Sequence, residues 1–98
     1  MRLQPHEIEA IRAAVREVFG ETATIRLFGS RVRDDLKGGD VDLFVEVQSG
    51  QASIANEQRL RDRIAPGIGD LRTDIMRHER GTALSPIERI ALRDGVLL

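Results

Sequence analysis

Apolar residues recur at helical spacing near the start of the chain. Ile8, Ile11, Val15, Val18 and Phe19 form one stripe, which predicts an amphipathic helix from about Pro5 to Phe19. Pro5 suits the first helical position, Glu7 and Glu9 sit near the positive dipole end, and Gly20 is a natural terminator. Thr22 to Phe28 reads as a strand ending abruptly at Gly29. Ser30 can cap a short helical turn through Leu36, and Lys37-Gly38-Gly39 reads as a loop. The clearest alternation runs from Val41 to Val47. There Val41, Leu43, Val45 and Val47 share one face of a strand, and Asp42, Phe44 and Glu46 share the other.

After a turn at Gln48-Ser49-Gly50, a helix is expected from about Ala52 to Ala65, with Leu60 and Ile64 one turn apart and Pro66 ending it. Gly67-Ile68-Gly69-Asp70 then leads into a third strand, about Leu71 to Arg77. Ser85-Pro86-Ile87-Glu88 has the capping-box pattern of a last helix, with Ile87, Ile90 and Ala91 expected to face inward and Gly95 closing it. The apolar tail Val96-Leu97-Leu98 either tucks onto the sheet or covers a subunit interface. The order of elements predicts an α/β (α+β) domain, a small sheet covered by helices. Its 98 residues, with no linker-like stretch, read as a single domain over 1–98.

Composition narrows the function classes. The chain is 41% hydrophobic and 32% charged, with three aromatic residues, Phe19, Phe28 and Phe44. Its core must therefore be built mainly from Ile, Val, Leu and Ala. A net charge of −1 argues against a protein that coats nucleic acid, which normally carries net basic charge. Zero cysteines exclude disulfides, Cys-ligated zinc and thiol catalysis, and fit a reducing compartment. The first nineteen residues carry charge throughout, unlike a signal peptide, and no apolar run reaches membrane-spanning length. The cytoplasm is the expected location. His6 and His78 read as solvent-facing, and a zinc site is not expected. Arg59, Arg61 and Arg63 read as a solvated helix face.

The candidate chemistry lies between Leu27 and Val47. At Gly29 the missing side chain permits a tight turn and close approach of a ligand. Ser30 as an N-cap would aim unpaired N–H groups and the positive helix dipole outward, an arrangement that favours phosphate. Arg31 and Arg33 add positive charge nearby. Taken alone, Gly29-Ser30 is an ordinary capped turn. Asp40 and Asp42 change that balance: two residues apart at the mouth of an apolar strand, they project on one face. Like charges so close disfavour each other's ionisation unless a cation lies between them. Magnesium takes such hard oxygen ligands, usually one or two carboxylates with substrate phosphates and waters. A solvated strand end is the plainer explanation of the pair. The best third carboxylate is Asp74, which interrupts Leu71-Arg72-Thr73-Asp74-Ile75-Met76 where an acid is unfavourable unless exposed or functional. If that strand lies beside the Val41 strand, the cluster supports two metals roughly 3.5–4 Å apart. Asp70 competes for the role from the Gly-rich connection.

Gly29-Ser30, nine intervening residues and then Asp40-Val41-Asp42 resemble the signature of the DNA polymerase beta-like nucleotidyltransferase superfamily, and within it the minimal nucleotidyltransferase group. Asp74 falls where that superfamily carries its third aspartate. The resemblance implies a palm-like fold, a short mixed sheet flanked by helices. It implies that Gly29 and Ser30, with Arg31 and Arg33, cradle the triphosphate of ATP or another NTP. Asp40, Asp42 and Asp74 would bind magnesium, and Asp74 would help activate an attacking hydroxyl. The implied reaction transfers a nucleoside monophosphate, AMP first among the candidates, with pyrophosphate leaving. It further implies a HEPN-type helical partner protein as acceptor, for which this chain would be the antitoxin. Two positions depart from the pattern. Asp34-Asp35 stands where many relatives have Gly, and Gly39 stands where many have Ser. Asp34 opposes triphosphate binding unless Arg31 or Arg33 offsets it.

The alternative function is an antitoxin of the same fold that neutralises its partner by contact alone. Retention of three mutually repelling aspartates favours the enzyme, whereas Asp34 and Gly39 tilt toward the binder. A nucleic-acid-binding domain using Arg31 and Arg33 is the weakest reading, given near-neutral charge and few aromatics.

Overall fold

A computed structural model describes residues 3–29, 40–69 and 72–98, with Asp40 described by its backbone only. The elements are helix α1 (Pro5–Phe19), strands β1 (Thr24–Phe28) and β2 (Asp40–Val47), helix α2 (Ile54–Ile68), strand β3 (Arg72–Glu79), helix α3 (Pro86–Asp94) and strand β4 (Val96–Leu97). The four strands form one mixed sheet in the order β3-β2-β1-β4. β1 pairs antiparallel with both β2 and β4, and β2 pairs parallel with β3. The parallel pair is joined through α2, the crossover that such pairing requires.

Strand alternation divides the sheet into two unlike faces. One face presents Ile25, Leu27, Val41, Leu43, Val45 and Val47, all buried against Ile11, Ala14, Val15 and Phe19 of α1 and Leu60, Ile64 and Ile68 of α2. Helices α1 and α2 touch so closely that a Cβ at Gly67 would overlap the Cβ of Ala10. Helix α3 packs on the opposite face, against β1 and β2. Ala91 of α3, Phe44 of β2 and His78 of β3 are all buried, and the Phe44 and His78 rings stand 6.1 Å apart.

Several expectations from the sequence need correction. Pro66 does not stop α2, which runs on to Ile68 before its cap at Gly69. Burial of Ile68 against the core holds that last turn in place despite the missing proline N–H. His78 lies within β3 and is only 5% exposed. Glu88 of α3 supplies its partner, with Oε2 at 3.2 Å from Nδ1. Ile87 and Ile90 do not face inward: they are 58% and 50% exposed, and Ala91 alone of that set is buried. A nine-residue helix anchored by Glu88 and Ala91 leaves its other sides to solvent. Arg61 is not a freely solvated residue, because its guanidinium donates to Glu57 and to the Thr73 carbonyl on β3. Of the two fates for the tail, the sheet is the one observed: Val96–Leu97 forms β4, and the Leu98 N–H donates to the Ile25 carbonyl at 2.9 Å. The short helical turn expected from Ser30 and the competing acid Asp70 lie outside the described residues.

Candidate active site

Because β1 runs antiparallel to β2 while β3 runs parallel to it, the C-terminal end of β1 and the N-terminal ends of β2 and β3 meet at one edge of the sheet. Asp42 is the register partner of Phe28 on one side and of Asp74 on the other. Register partners on adjacent strands point the same way, about 4.8 Å apart. Asp42 and Asp74 are therefore immediate neighbours on the face carrying α3, and Asp74 is exposed there. One step along, Asp40 is in register with Arg72. The sequence made the third carboxylate conditional on β3 lying beside β2, and that condition is met.

Gly29 closes the arrangement from the β1 side. Its φ of +77° is a left-handed conformation that glycine adopts freely. A Cβ there would overlap Oδ2 of Asp42 and stand 3.1 Å from its Cγ. The Asp42 carboxylate thus fills space that only a hydrogen leaves open. Gly29, Asp42 and Asp74 are brought together by the described structure. Ser30, Arg31, Arg33 and the Asp40 side chain lie outside the described residues, although the Asp40 backbone opens β2.

Farther along the same face the polar groups are paired. Arg26 on β1 donates to Glu46 on β2 at 2.7 Å. Burial pushes the Glu88 carboxyl up, but hydrogen bonds from the Ser85 N–H and hydroxyl, together with His78, outweigh it and leave the group below its ordinary range.

Carboxylates side by side suit the hard-oxygen preference of a divalent cation, so the residues fit such an ion. Among the described residues no group of three or more His, Cys, Asp or Glu is gathered to hold a metal. The Asp40 side chain, the third member expected here, is outside that set.

The family model for the nucleotidyltransferase domain matches residues 8–91, a span that begins in α1, contains this edge and ends in α3. The chain belongs to the nucleotidyltransferase domain family. The fold of this nucleotidyltransferase is shared with a crystal structure from Sulfolobus solfataricus, provisionally assigned as a nucleotidyltransferase. The likeness has a TM-score of 0.51 at 21% sequence identity, and covers 99% of this chain and 89% of that one. No curated protein matches the nucleotidyltransferase chain significantly. No helix among its described residues is long and apolar enough to cross a membrane.

Proposed function

We propose that this domain transfers a nucleoside monophosphate, AMP in the first instance, from a magnesium-bound triphosphate to a hydroxyl on a partner protein in the cytoplasm. The observation that carries this reading is the in-register pair of half-buried Asp42 and exposed Asp74, set against the Gly29 turn. Asp40, Asp42 and Asp74 would hold the metal, which when bound neutralises phosphate charge and polarises the α-phosphoryl group. Gly29 lets the chain turn close to the triphosphate, with Ser30, Arg31 and Arg33 following it in sequence. Asp74, on the β3 side, takes up the proton of the attacking hydroxyl. The acceptor oxygen bonds to the α-phosphorus, the bond from that phosphorus to the bridging oxygen breaks, and pyrophosphate leaves. Positioning and charge neutralisation are the main demands of such a transfer, and these residue types meet them.

The acceptor we favour is a HEPN-type helical partner, with this minimal nucleotidyltransferase as its antitoxin. Exposed Ile87 and Ile90 on α3 and Leu97 on β4 support a protein partner. The same side chains favour a second reading, an antitoxin that acts by contact alone. Incubation of native lysate with α-phosphate-labelled ATP and magnesium separates the two. A labelled protein band with the wild type, lost in the Asp40→Asn/Asp42→Asn variant, is the expected result. No band, with a partner still co-purifying and Mg-ATP still bound, would leave the contact-only antitoxin.

A further inference from the structure

Three arginines lie on described strands: Arg26, Arg72 and Arg77. Arg26 is bound to Glu46 at 2.7 Å, and Arg77 to Glu57 at 2.8 Å. The Arg72 side chain is exposed and has no hydrogen bond or ion pair among the described residues. Its position makes that unusual. It is the register partner of Asp40, and it stands two residues before Asp74 on the same face of β3. An arginine between two such carboxylate positions normally forms a charge-assisted fork with one of them. Among the described residues the guanidinium makes no such pair, although it shares a face of β3 with Asp74.

The sheet order fixes the side from which it approaches. β1 and β3 flank β2, so Gly29 and Arg72 reach the aspartate edge from opposite sides. A triphosphate turned at Gly29 and extended across β2 would come within reach of Arg72 on the far side. We propose that Arg72 binds the α-phosphoryl oxygens of the nucleoside triphosphate from the β3 side. The assignment rests on the reading of this edge as a triphosphate site. A planar guanidinium can contact two such oxygens at once, and negative charge on them is offset where transfer occurs.

The test is calorimetric titration of Mg-ATP into the wild type, Arg72→Gln and Arg72→Lys. Arg72→Gln should weaken binding on the order of tenfold or more, the usual effect of losing a hydrogen bond to a charged group. Arg72→Lys should recover part of the loss, since it keeps the charge but not the fork. Thermal unfolding without nucleotide should be unchanged in both variants, because Arg72 has no described partner to lose. In phosphorus NMR of bound Mg-ATP, the α-resonance should move in Arg72→Gln more than the γ-resonance. Equal affinity and an unmoved α-resonance in Arg72→Gln, with the wild type binding Mg-ATP, would overturn the assignment and leave the site reading standing. Failure of the wild type to bind Mg-ATP would overturn both.

Discussion

Replacing Gly29 with alanine should injure the fold slightly and the site severely, and the structure allows the two costs to be separated. The first is backbone strain: at φ +77° an L-residue costs roughly 1–2 kcal/mol. Alanine's smaller unfolded-state entropy returns about 0.4–1 kcal/mol of this. The net loss is then on the order of 1 kcal/mol, or a fall in Tm of about 4–8 °C for a domain of this size. The second cost is local. The new Cβ overlaps Oδ2 of Asp42, and a carboxylate at the end of a short side chain yields more readily than the backbone. Asp42 must therefore rotate away from its place beside Asp74, and the carboxylate pair proposed to hold the metal should lose its geometry. Thermal scans with and without Mg-ATP read both costs. A ligand at 100 times its Kd stabilises by about 2.7 kcal/mol, and Gly29→Ala should lose most of that increment beyond its own fall in Tm. In an Asp42→Ala background the overlap is gone, so Gly29→Ala should cost less there than in the wild type, by the coupling a double-mutant cycle isolates. A Gly29→Ala variant with wild-type Tm and a wild-type response to Mg-ATP would refute both the strain and the steric argument.

The remaining predictions concern the support of the sheet. Gly67→Ala places a Cβ into that of Ala10 across the α1–α2 contact, so it should destabilise by about 1–3 kcal/mol despite alanine's better helix propensity. Urea titration checks this, and Ala10→Gly in the same chain should restore part of the loss. The hydrogen bond from Arg77, opposed by burial and reinforced by the charges of Arg77 and Arg61, holds the Glu57 carboxyl below its ordinary value of 4.5. A carboxyl depressed by folding contributes stability above its unfolded value and loses it as pH falls through the folded one. Stability should therefore decline with acidification below about 4.5, and Glu57→Gln should flatten that part of the profile in urea titrations across pH. A variant with the wild-type slope there would show that the Glu57 pairs do not carry it.

The elements legible in the sequence are those whose pattern is local. The α1 stripe and the β2 alternation mark the core-facing sides, although Ile8 and Val18 are only partly buried and Phe44 is buried on the other face of β2, and both elements fall where the periodicity places them. What the pattern cannot carry is the partner supplied from elsewhere in the chain. His78 reads as solvated because its neighbours Arg77, Glu79 and Arg80 are charged. It is buried because Glu88, fixed in place by the Ser85 N–H at 2.7 Å, offers it a hydrogen-bond partner from α3. Ile87 and Ile90 read as a core stripe by spacing, yet spacing does not reveal that the sheet beneath α3 is already occupied by Phe44 and His78. Similarly, Gly67 looks like a loop glycine until Ala10 is placed against it.

The same distinction governs the site. Asp40 and Asp42 are two residues apart, so strand periodicity alone puts them on one face. Asp74 joins them only because β3 is parallel to β2 in a register that aligns it with Asp42, and alternation says nothing about register between distant strands. A shift of β3 by one residue would turn Asp74 and Arg72 toward α2 and bring Thr73 and Ile75 to the acidic edge. What sets the register is visible on the opposite face. Arg77 is tied to Glu57 and to the Ala52 carbonyl, and Arg61 holds the Thr73 carbonyl. These polar ties join β3 to α2 and to the segment just before it. They fix which side chains of β3 stand beside Asp42 without touching it, so the loss of one should disturb the site through the strand that carries it.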